Sequence, residues 1–112
     1  MSKFKACLET YDKEFKKLGI KYDTALLEKV AKGCGPSLYK ADASKVSSGD
    51  KSELDRVKTN YLMKKLGMSD SPKLDEGIKA VVDQFGSSNR NKYRAMFYYL
   101  LAKHFKQESF YK

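Results

Sequence analysis

Two cysteines and a single histidine are all the thiol and imidazole ligands that this 112-residue chain offers. They are too few for a disulfide framework or a structural zinc site, so Cys7 and Cys34 read as reduced thiols. Neither a metal nor another cofactor is expected. Long apolar runs are missing too. The longest, Ala95 to Ala102, falls far short of the roughly 20 residues that cross a bilayer. After Met1-Ser2-Lys3-Phe4-Lys5, the acids Glu9, Asp12 and Glu14 interrupt anything resembling the apolar core of an export signal. These absences predict a cytoplasmic protein with no membrane partner. The Walker A, GxGxxG and HExxH patterns are also absent, so no enzymatic activity is expected. No stretch alternates with period two for long enough to make a strand, and no internal repeat is evident.

Acidic residues are in short supply, 14 Asp and Glu against 23 Lys and Arg, for a formal charge of +9. The imbalance is uneven along the chain. Residues 87–112 hold Arg90, Lys92, Arg94, Lys103, Lys106 and Lys112 against Glu108 alone, whereas residues 72–86 set Lys73 and Lys79 against Asp75, Glu76 and Asp83. A basic surplus favours anionic partners, nucleic acid included. Only three of the cations are Arg, however, and Lys reads phosphate with less discrimination.

What the chain has in abundance is helical periodicity. Its length and its 41% hydrophobic content suit one domain, residues 1–112, with one core. A first helix is predicted over 3–18, capped by Ser2, carrying the stripe Phe4, Leu8, Tyr11, Phe15 and Leu18, and stopped by Gly19. Cys7 lies beside that stripe as a small buried hydrophobe. Asp23 caps a second helix over 23–32, with Leu26, Leu27, Val30 and Ala31 inward and Gly33 as its end. Pro36 suits the start of a short helical turn at 36–40, and the stretch up to Gly49 reads as loop. Asp50 and Glu53 have capping-box spacing and open a helix over 51–66 whose stripe is Leu54, Val57, Tyr61 and Leu62. Ser71-Pro72 starts another helix, 72–85, with Leu74, Ile78, Val81, Val82 and Phe85 inward. Gly77 inside it should cost about 1 kcal/mol relative to Ala, which points to the close approach of a neighbouring backbone.

The last helix, predicted over 88–105 and capped by Ser87 or Ser88, organises the rest. Tyr93, Met96, Phe97, Leu100, Leu101, His104 and Phe105 form its wide stripe. The fold class is therefore all-α, an orthogonal bundle of about five helices with no sheet.

Three stretches carry a family likeness. They are Gly35-Pro36-Ser37-Leu38-Tyr39 followed by Ala41-Asp42-Ala43-Ser44; Asn60-Tyr61-Leu62-Met63-Lys64-Lys65-Leu66-Gly67; and Ser88-Asn89-Arg90-Asn91-Lys92-Tyr93-Arg94 with Tyr98-Tyr99-Leu100-Leu101. Distributed over most of the chain, they resemble a small bacterial family, domain of unknown function 2853. The resemblance implies an all-helical fold in a bacterial, cytoplasmic setting. It implies no activity, ligand or site residue.

Two places are candidates for chemistry. Helix N-termini favour acids, yet the last helix is predicted to open with Arg90, Lys92 and Arg94. With Ser87, Ser88, Asn89 and exposed backbone N–H groups, these would form a phosphate or carboxylate pocket, and Tyr93 or Tyr98 would offer a stacking face. The plainer reading pairs Arg90 and Arg94 with internal acids such as Asp83, Asp75 or Glu108. A helix-turn-helix, with Leu74–Phe85 followed by Asn89–Phe105, fits poorly: Ser87 stands where an apolar residue is usual, Lys92 would point inward, and the second half is too apolar for a groove. The other candidate is Cys34, a thiol flanked by glycines that would need His104 as its base. His104 on the apolar stripe reads more simply as a hydrogen-bonded core residue.

The leading reading is a non-catalytic protein-interaction or structural module. Its partner would be another protein or a second copy, reached through Tyr98 and Tyr99, which cannot both share the main stripe. The alternative is a nucleic-acid or phosphate-binding module. That alternative needs its cations on one exposed surface with Lys64, Lys65 or Lys103 nearby, whereas the structural reading needs them paired with acids.

Overall fold

Local signals place the helix starts. In the computed structural model, which describes residues 3–39, 45–46, 49–86 and 92–111, α1 spans Lys3–Leu18 and buries Tyr11 and Phe15. Asp23 is extended and its carboxylate accepts the N–H groups of Ala25 and Leu26 at 3.0 and 3.3 Å, opening α2, Thr24–Cys34. The predicted stop at Gly33 is displaced. Gly33 stays helical because the Lys65 ammonium packs on it and donates to its carbonyl at 3.0 Å. Gly35, with φ of 62°, supplies the left-handed residue instead. A 3₁₀ turn, Gly35–Tyr39, follows as expected and buries Leu38.

Asp50 caps α3 through the Ser52 N–H at 2.9 Å. The capping box is half realised, since the Glu53 carboxylate turns to arginines instead. This helix runs as α-helix over Lys51–Arg56 and then widens into a π-helix over Val57–Lys65. The i to i−5 bond from Leu66 N–H to Tyr61 O, 2.9 Å, shows the change. Burial explains the winding. Val57 and Leu62 both face the core, but at 3.6 residues per turn they would stand about 140° apart. A ring closed over five residues stacks them.

Pro72 takes the first position of α4, Pro72–Phe85, after an extended Ser71. Gly77 does mark a close approach, but to rings rather than to a backbone. A Cβ there would overlap the Phe105 ring and lie 3.0 Å from His104 Cδ2.

The largest departure is α5. It begins at Arg94, not at 88, and ends at His104. Lys92 and Tyr93 are held extended: Val46 N–H donates to Lys92 O at 2.7 Å, and Lys45 pairs with Tyr93 in an isolated antiparallel bridge. Ala95, Met96, Phe97, Tyr99, Leu100, Leu101 and Ala102 are all buried. A helix buried on so many sides is a central one, and α5 packs against both α2 and α4. His104, expected on the inner stripe, is exposed at its end. A closing 3₁₀ turn, Glu108–Tyr111, folds back on α2. The architecture is thus an all-α assembly of five helices, without a strand among the described residues. No described helix is long and apolar enough to cross a membrane.

Candidate binding surfaces

Of the basic segment, only Arg94 lies in α5, as its first residue, and Lys92 precedes the helix. Ser87, Ser88, Asn89 and Arg90 lie outside the described residues, and the helix starts beyond them. Lys92 is 2% exposed, and burial lowers the pKa of its ammonium. It is not a surface cation. Arg94 is held by an acid, as the structural reading required, but by Glu53 rather than by Asp75, Asp83 or Glu108. Its Nη2 donates to Glu53 Oε1 at 2.6 Å, and both side chains are only 15% exposed. Nη1 donates to the Tyr98 hydroxyl at 2.9 Å, and the guanidinium lies 5.7 Å from that ring's centre. Arg56 approaches Glu53 from its other side at 3.5 Å. Two of the acids that sequence offers are engaged elsewhere, Asp75 with Lys58 and Glu108 with Lys103.

The helix-turn-helix reading fails on the same geometry. A recognition helix must present a polar face to the major groove, whereas α5 is the buried centre of the fold.

Arg94 nevertheless reaches a cleft of about 320 Å³ between the end of α2 and the π-helical part of α3. Cys34, Asn60 and Lys65 join it there, with Tyr61 and Tyr98 as an aromatic wall. Those two rings stack at 3.9 Å with planes 10° apart. The Tyr61 hydroxyl donates to Tyr98 O at 3.1 Å and shares a 2.6 Å contact with the Tyr111 hydroxyl. Burial pushes the Cys34 thiol up to about 11, with Lys65 and Arg94 opposing the shift. At neutral pH it is a thiol, not a thiolate. His104 is no base for it. Arg94, which shares the cleft with Cys34, and His104 stand at opposite ends of α5, about 15 Å apart along the axis. The imidazole instead sits edge-on to Phe105, 4.9 Å between centres.

The two tyrosines proposed as an interface face inward. Tyr99 is 1% exposed and accepts the Asp23 N–H at 2.8 Å, so its hydroxyl ties α5 to the start of α2. Tyr98 is half-buried in its stack on Tyr61. Both share the interior because the core surrounds α5, which a single-stripe reading did not anticipate.

An apolar groove that sequence reasoning missed lies between α3 and α4. It measures about 360 Å³, with Leu54, Ile78 and Val82 as floor and Lys51, Asp55, Asp75, Lys79 and Asp83 as rim. Helical spacing predicts Leu54 and Val82 in the core. They remain only half-buried, and their helical spacing alone carries no sign of that.

Among the described residues, no cluster of three or more His, Cys, Asp or Glu could hold a metal. A family model described as "Protein of unknown function (DUF2853)" matches residues 10–109. No curated protein matches the chain.

Proposed function

The chain belongs to the DUF2853 family, whose description carries no activity, and from that premise we propose that it is a non-catalytic interaction domain, bacterial and cytoplasmic, that receives an amphipathic helix in the α3–α4 groove. The observation that carries this reading is the groove itself. It has an apolar floor of Leu54, Ile78 and Val82 between two charged helical edges. That pattern suits helix-in-groove recognition, in which apolar anchors of the guest fill the trough and its polar flanks meet the rim. The absence of catalysis belongs to the same proposal. It is supported by a Cys34 thiol raised to about 11 and by a His104 remote from it.

The test is an amide-shift titration with a helical peptide carrying Leu at i, i+3, i+4 and i+7 and neutral flanks. Shifts at Leu54, Ile78 and Val82 that vanish in Val82→Asp are expected. Saturating peptide without a localised response would refute the groove as a binding site.

A second reading has one observation in its favour, the shared cleft of Lys65, Arg94 and the Tyr98 ring. It suits a small phosphate or carboxylate ligand, although Glu53 already engages the guanidinium. Inorganic phosphate titrated at low salt should then shift Asn60 and Lys65 amides, weaken as salt rises, and fail in Lys65→Ala. No response at these positions would refute it.

A further inference from the structure

We infer, resting on the groove as the interaction site, that its occupant is the α3–α4 face of a second copy, with the two α4 helices antiparallel about a two-fold axis. A chain of net +9 repels its own copies wherever two basic surfaces meet. The rim of this groove is not basic, since Asp55, Asp75 and Asp83 stand against Lys51 and Lys79. Two copies can therefore approach here without bringing two basic surfaces together.

Lys79 and Asp83 are one helical turn apart on α4, and neither makes an ion pair among the described residues. Asp75 differs, being held by Lys58 at 3.3 Å. When two α4 helices run antiparallel and cross at the level of Val81, Lys79 of each copy lies against Asp83 of the other. A two-fold contact demands this reciprocity, residue i on j and j on i. Beneath the charges, Leu54 and Val82 are half-buried in the isolated chain and would lose their remaining exposure. The apolar floor is three side chains, well below the roughly 800 Å² that each partner contributes to a standard stable interface. The dimer is accordingly weak and reversible, and its population depends on concentration.

Sedimentation equilibrium of the full chain over a wide concentration range tests the inference, with Lys79→Asp and Asp83→Lys as variants. Both positions are exposed, and circular dichroism checks that each variant folds. Each alone is expected to weaken self-association by about tenfold or more, because every reciprocal contact becomes like-charged. An equimolar mixture of the two is expected to restore a heterodimer, the introduced carboxylate of one meeting the introduced ammonium of the other. A wild-type chain that stays monomeric throughout overturns the inference, as does a dimer indifferent to both variants. If the Leu-bearing peptide still binds Leu54, Ile78 and Val82 in that case, the groove reading survives without the second copy. If it does not bind, both fall.

Discussion

Replacing Arg94 by Met while leaving Glu53 in place probes the contact that decides how the basic segment is used. Met preserves much of the stem and removes the charge. The Glu53 carboxylate and the Tyr98 hydroxyl then lose donors at 2.6 and 2.9 Å in a region where both charged side chains are 15% exposed. Removing one partner of a fully buried pair costs about 3–5 kcal/mol. Here Arg56 remains 3.5 Å from Glu53 and softens the loss, so about 2–3 kcal/mol is expected. Loss of the cation over the Tyr98 ring accounts for about 0.5–1 kcal/mol of that. Glu53→Gln keeps an acceptor and should cost about 1–2 kcal/mol. Because the two groups touch, the double variant should be less destabilised than the sum, by about 1–2 kcal/mol. Urea unfolding followed by circular dichroism supplies all four free energies. Additivity within about 0.5 kcal/mol would refute the pairing and return Arg94 to the surface as a candidate ligand contact.

Three further outcomes are expected. The Tyr11 hydroxyl is buried without a hydrogen-bond partner among the described residues, while the nearby Cys7 thiol engages Leu38 O at 4.0 Å; Tyr11→Phe should be neutral or stabilising by up to about 1 kcal/mol, and a clear loss of stability would show a satisfied hydroxyl. Gly77→Ala should destabilise in thermal melts despite the helix-propensity gain of about 1 kcal/mol, because its Cβ meets the Phe105 ring; Phe105→Leu should relieve the cost, and a stabilised single variant would contradict the packing. Cys34 should react sluggishly with iodoacetamide at neutral pH and accelerate as pH rises toward about 11, with His104→Ala without effect; fast alkylation at neutral pH, slowed by that substitution, would revive the thiol as a nucleophile.

Sequence carried the helices because their signals are short-range. Asp23 and Asp50 act on N–H groups within the next few positions, Pro72 presets its own φ at the first position of α4, and the stripes of α1 and α2 need only neighbours one turn away. Those interactions survive whatever the rest of the chain does. The π-winding of α3 was less visible, because Val57, Tyr61 and Leu62 satisfy a loose α-helical stripe on paper. Only the core, by requiring Val57 and Leu62 on one side, selects the wider ring.

The candidate sites were less legible still, since each depends on residues distant in the chain. Pairing of Lys45 with Tyr93 holds Tyr93 extended, and α5 begins only at Arg94. Glu53, 41 positions away, claims that arginine in place of the acids nearer to it in sequence. Residues from α3 and α4 make the groove jointly, and neither helix signals it alone. Periodicity and capping determined that this chain forms five helices and which residues turn inward on most of them. Tertiary structure decided how far around α5 the core extends, which charges are neutralised and which apolar residues stay partly open, because these follow from contacts between elements whose relative positions no local pattern encodes.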